Sequence, residues 1–136
     1  MDPTYTSINL QRSRAKMNFQ MRKHELAAEQ AALAMQLFES FPVRDPKWDA
    51  LCASLADLMQ LMGRPDDCDR LMKLSLAACE PTGNERGTRE AFYAKFLLQQ
   101  GRLDEAEVHA LAAIAAPLGE IGFAQELLRD IRARKT

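Results

Sequence analysis

Apolar side chains recur every three or four residues along most of the chain, the period of helices that bury one face. Over residues 9–41, Leu10, Met17, Met21 and Ala28 fall on one stripe, and Leu26, Leu33, Leu37 and Phe41 carry an apolar face onward. No Gly or Pro interrupts this stretch. It reads as one long helix or as two broken near Lys23-His24, and two is preferred. Residues 1–8, with Asp2-Pro3 and a Thr/Ser cluster, are expected to be a disordered start.

Pro42 and Pro46 mark a connector, because each disfavours helix at the residue before it. A helix is then expected from Trp48 to Met62, with Leu51, Leu55, Leu58, Met59 and Met62 on one stripe. Gly63 suits a helix C-terminus, and Asp66 is a candidate cap for the next helix. That helix carries Cys68, Leu71, Met72, Ser75, Ala78 and Cys79 on one face, and Pro81 to Asn84 breaks it. Thr88 is the candidate cap of a helix bearing Phe92, Tyr93, Phe96 and Leu97. Gly101 ends it, and Asp104 or the preceding turn starts another with Ala106, Ala110, Ala113 and Ile114 inward. Pro117 and Gly119 close that one, and a last helix carries Leu127, Leu128 and Ile131.

Composition supports an all-α fold. Ala and Leu supply 39 of the 136 residues, against 6 for Val and Ile together. The first two lose little rotamer freedom in a helix. The net charge of −1 conceals basic ends on an acidic body: +4 over residues 1–24, −8 over 25–128 and +3 over 129–136. An acidic body argues against broad nucleic-acid binding. No apolar run is long enough to span a bilayer, and no secretory leader is evident, so a cytoplasmic protein is expected. Three cysteines without a C-x-x-C pair read as reduced thiols.

The chain also repeats itself. Leu55-Ala56 through Gly63-Arg64-Pro65-Asp66-Asp67-Cys68 parallels Tyr93-Ala94 through Gly101-Arg102-Leu103-Asp104-Glu105-Ala106. Gly63 and Gly101 are 38 positions apart. With small residues at Ala56 and Ala94, and at Cys68 and Ala106, this pattern resembles the tetratricopeptide repeat family, whose period is about 34 residues. The sequence departs from the family where Cys52 and Glu90 replace a bulky residue, where Pro65 replaces an aromatic, and where Ala110 is small. The resemblance implies a right-handed solenoid of helical hairpins, about three pairs plus a C-terminal capping helix. It would form a single domain over 1–136: an imperfect first pair over 9–41, a second over 47–80, a third over 88–117 and a cap over 121–134.

The resemblance also implies that the first helix of each pair lines a concave groove. By register this points to Ala53, Asp57 and Gln60 in the second pair, and to Ala91, Lys95 and Gln99 in the third. The Lys/Asn pattern with which some members clamp a terminal carboxylate is absent. The basic segment with Met17, Phe19, Met21 and Arg22 is either the first helix of an imperfect repeat or a docking segment. Contact with nucleic acid or an anionic surface is the least favoured reading, for want of interleaved aromatics.

Chemistry is sparse. His24 and His109 have no ligand set around them, and Asp66, Asp67 and Asp69 are explained by a helix N-terminus. Cys68, in a small-residue position, reads as core rather than as a redox sensor. No phosphate loop, nucleophile elbow or metal motif is present, so neither an enzyme nor a cofactor is expected. The expected function is a protein-interaction adaptor that binds a peptide or helix of another protein. Size, mild acidity and the lack of a leader also resemble the small tetratricopeptide chaperones of type III secretion. A ligand-sensing subunit of a transcription factor and a self-associating homodimer are the alternatives.

Overall fold

The computed structural model describes residues 3–40, 48–80, 85–116 and 121–136. Among them there are seven helices and no strand: α1 (Pro3–Gln20), α2 (His24–Glu39), α3 (Trp48–Leu61), α4 (Pro65–Ala78), α5 (Arg86–Gln99), α6 (Leu103–Ala115) and α7 (Ile121–Lys135). They pack as hairpins, α1 with α2, α3 with α4 and α5 with α6, and α7 lies against α5 and α6. This is a tetratricopeptide-like arrangement. Contacts gather into two compact units, Met1–Ala78 and Cys79–Thr136.

One turn builds all three hairpins. The Arg64 N–H donates to Met59 O and the Gly63 N–H to Gln60 O; the Arg102 N–H donates to Leu97 O and the Gly101 N–H to Leu98 O. These paired bonds satisfy the last carbonyls of the first helix, and they require a left-handed residue between the helices. Gly63 (φ 72°) and Gly101 (φ 76°) supply it without strain. The first hairpin closes the same way, with Lys23 N–H to Asn18 O and Arg22 N–H to Phe19 O, but the left-handed residue is Arg22 at φ 63°. The first pair is therefore in register with the others. Ala15, Ala56 and Ala94 are equivalent and fully buried, as are Ala27, Cys68 and Ala106. Small side chains at both positions let the paired helices approach closely.

Several expectations need correction. Residues 3–8 are the first turns of α1 rather than an irregular start, and Ile8 is fully buried. The stripe of Leu10, Met17, Met21 and Ala28 faces solvent, as do Leu26 and Leu33. The core line of α1 is instead Ile8, Ala15 and Asn18, on the opposite side, and that of α2 is Ala27, Ala31, Ala34, Met35 and Phe38. Asn18 is buried because its Nδ2 donates to Gln30 Oε1 at 2.6 Å. α5 starts at Arg86, two residues before Thr88, and Asp66 lies inside the first turn of α4, whose N1 position is Pro65. Phe92 is exposed. Phe41 and the prolines at 42, 46, 81 and 117 lie outside the described residues.

In the first unit the small-residue seam continues into a bulkier core of Trp48, Leu51, Leu55, Leu58 and Leu71. Ser75 Oγ donates to the Asp49 carbonyl at 2.9 Å, tying α4 to the start of α3. In the second unit α6 offers only alanine at its fully buried positions, so α5 supplies the volume through Tyr93, Phe96 and Leu97. α7 adds Ala124, Leu127 and Ile131. Its basic end is fixed to α6 by Lys135 with Asp104 (2.8 Å) and Arg132 with Glu107 (3.3 Å).

Candidate functional site

The first helices of the hairpins present the register positions that the repeat pattern assigns to a groove. On α3, Asp57 and Gln60 are exposed and Ala53 is half-buried. On α5, Lys95 and Gln99 are exposed, whereas Ala91 is buried and has no surface to offer a ligand. The in-register turn of the first hairpin adds residues that sequence reading missed. Arg12 is equivalent to Ala53, and Lys16 to Asp57 and Lys95. Lys16 Nζ lies 3.6 Å from Asp57 Oδ2, so these equivalent positions of α1 and α3 are neighbours. Both are substantially exposed, so the pair contributes little to stability and both charges stay available to a partner. The missing signal was a glycine: with Arg22 in the turn, nothing in the sequence set the register of α1.

Within the second unit, Lys95 and Gln99 of α5 line a cleft of about 300 Å³ against α7. Leu98, Phe123 and Leu127 form its apolar wall, and Glu126, Asp130 and Arg134 its polar rim. Arg134 Nη1 donates to the Leu98 carbonyl at 3.3 Å, which fixes one end. The opposed charges suit a mixed polar and apolar segment better than a single anion or cation.

The docking-segment residues divide. Met17, Met21 and Arg22 are exposed. Phe19 is half-buried with its ring edge-on to His24, centroids 4.9 Å apart, and so packs the turn instead.

Glu90, noted in the sequence only as a departure from the repeat pattern, is buried between α5 and α6. Arg86 donates to its Oε1 from Nε at 3.1 Å, and His109 Nδ1 lies 2.5 Å from Oε2. Arg86 also reaches the Cys79 carbonyl at 3.4 Å, and the His109 ring packs on Tyr93 at 4.6 Å. Burial alone would raise the Glu90 pKa. The His109 hydrogen bond and charge, with Arg86, outweigh it and hold the carboxyl below its ordinary 4.5. An ionised carboxylate makes the imidazole nitrogen the donor. Every group in the network is occupied in joining the hairpin, and none is a free nucleophile.

A lowered carboxylate pKa contributes stability that is present above the unfolded-state value and lost as pH falls through the folded-state value. Glu90→Gln should therefore destabilise the fold by about 2 kcal/mol at pH 7, because the half-buried Arg86 guanidinium loses its counter-charge and the hydrogen bond to His109 loses its charged acceptor. It should also flatten the acid limb of the stability curve. Urea unfolding at pH 7 and pH 4 measures both; a variant with wild-type stability at both values would show the network to be dispensable.

No family model matches the chain, and no curated protein does. Solved structures do, 14 chains in all. Among them is the type III secretion chaperone SycD of Yersinia enterocolitica, crystallised with a peptide of the translocator YopD. The likeness has a TM-score of 0.62 at 19% identity and covers 96% of each chain. At that identity it establishes the all-helical hairpin fold. SycD is a chaperone, and no described helix of the present chain is long and apolar enough to cross a membrane.

Proposed function

We propose that this protein is a peptide-binding adaptor of the type III secretion chaperone kind, which holds a segment of an export substrate in the cytoplasm. The observation that carries this reading is the match over 96% of both chains to a chaperone whose structure contains a translocator peptide. Within the first unit the segment would lie on Arg12 and Lys16 of α1 and Asp57 and Gln60 of α3; within the second unit, Lys95 and Gln99 of α5 offer the equivalent surface. Those positions are mixed in charge and exposed or half-buried. Such a surface can accept an extended or helical segment through side-chain pockets and polar anchoring. A chaperone needs no catalytic group, and none is assigned.

Co-expression with a translocator-type export substrate tests this. A soluble complex of defined stoichiometry is expected, with the substrate aggregating when expressed alone. If the substrate aggregates equally with and without the chain, and no complex forms, the reading is wrong.

A further inference from the structure

The helix that ends the array does more than cover α6. α5 and α7 run side by side in the same direction: Phe92 meets Phe123 toward their starts, with ring centroids 6.1 Å apart, and Arg134 reaches the Leu98 carbonyl toward their ends. Between these two contacts lies the cleft of about 300 Å³. Leu98, Phe123 and Leu127 wall it, and Phe92, 49% exposed, extends its apolar lip. A helix that only covered the end of an array would fill such a wall with its own side chains. This one leaves room for a large apolar side chain from outside.

The charges on the rim select what stands beside that side chain. Glu126 and Asp130 lie one turn apart on α7, and Lys95 lines the same cleft from α5. None of the three forms an ion pair among the described residues, whereas Asp104 and Glu107 of α6 are paired with Lys135 and Arg132 of α7. Two exposed carboxylates at i and i+4 repel each other, and a shared cation would relieve them. The basic groups nearby do not supply it. Arg134 donates to the Leu98 carbonyl, and Arg129 lies about 60° round from Glu126 on the side away from Phe123 and Leu127. We propose that this cleft is a subsite for a large apolar residue next to an arginine or lysine in the held segment, the apolar side chain on Leu98, Phe123 and Leu127 and the cation between Glu126 and Asp130. Arginine suits the pair because its guanidinium can donate to both carboxylates at once. An acidic neighbour would have Lys95 alone, against two like charges. The inference rests on the peptide-holding reading above and adds to it the residue pair that the second unit selects.

The test uses the full chain and short fluorescein-labelled peptides of one alanine–serine background, with Leu-Arg, Leu-Glu or Ser-Arg at the centre. Anisotropy should show the Leu-Arg peptide binding about tenfold more tightly than either counterpart, its advantage over Leu-Glu shrinking as salt rises. Phe123→Ser should bring Leu-Arg to the level of Ser-Arg. Glu126→Lys with Asp130→Lys should reverse the order of Leu-Arg and Leu-Glu; both residues are exposed, and circular dichroism should report unchanged helix. A labelled translocator peptide separates this inference from the reading it rests on. If the wild type binds that peptide but binds none of the three, all three equally, or Leu-Glu best, the subsite is wrong and the holding role stands. Binding of neither the translocator peptide nor any of the three would overturn both. Undiminished binding of Leu-Arg by the charge-reversed chain would also overturn the subsite.

Discussion

Cys52 and Cys68 in the folded protein should alkylate about a thousandfold more slowly at pH 8 than an ordinary thiol of pKa 9. Burial, joined at Cys52 by the nearby Asp49 charge and at Cys68 by Asp69, pushes both thiols up to about 12. The thiolate is the reacting form, so three orders of magnitude in ionisation become three in rate before any loss of access is counted. The packing explains why. Cys68 occupies the seam position that is alanine in the other two hairpins, Ala27 and Ala106, and is likewise fully buried. A thiol there acts as a small apolar side chain that lets α4 lie close to α3. Mass spectrometry after timed iodoacetamide treatment, native and in urea, reads the ratio directly. Labelling of either residue at the urea rate would mean that the α3–α4 seam is open in solution.

Phe96→Ala should destabilise the protein by about 3–5 kcal/mol, a hundredfold or more in the folded-to-unfolded ratio. Phe96 is buried and stacks on Tyr93, with centroids 6.2 Å apart and planes 13° from parallel. Its surroundings cannot collapse to fill the space. The helix opposite presents Ala106, Ala110 and Ala113, whose side chains have nothing to extend into a cavity. The upper part of the range measured for aromatic truncation is therefore expected. Urea unfolding gives the value; a loss below about 1 kcal/mol would mean that α5 and α6 are less tightly packed than they are here.

The two later hairpins were legible in the sequence because their turns need a left-handed residue and glycine advertises it. Gly63 and Gly101 set the register, and the small residues at Ala56, Ala94, Cys68 and Ala106 followed from it. The first hairpin uses the same turn with Arg22, and no residue-level signal announces an arginine forced to positive φ. The periodicity of α1 then misled in a physical way. Leu10, Met17 and Met21 outweigh Ile8, Ala15 and Asn18 in hydrophobicity, yet the weaker line is the core. Close packing selects small side chains, and the pairing of Asn18 with Gln30 is invisible until both helices are placed. The same limit applies to the site. Asp57 and Lys95 could be assigned by register, but Lys16 could not, since its position depends on the hidden turn. Ala91 was assigned to the groove by register alone and proves buried. Glu90 stood out only as a misfit in the repeat, and His109, its partner 19 positions on, gave no hint of the contact.

Titration of a labelled translocator peptide, of the kind seen with SycD, into the wild-type chain and into Asp57→Lys with Lys95→Glu tests the central claim most directly. Saturable binding by the wild type is expected, with a loss of about tenfold or more in the doubly substituted chain at unchanged helix content. No saturable binding by the wild type, or equal binding by both proteins, would contradict a peptide-holding role for the faces of α3 and α5.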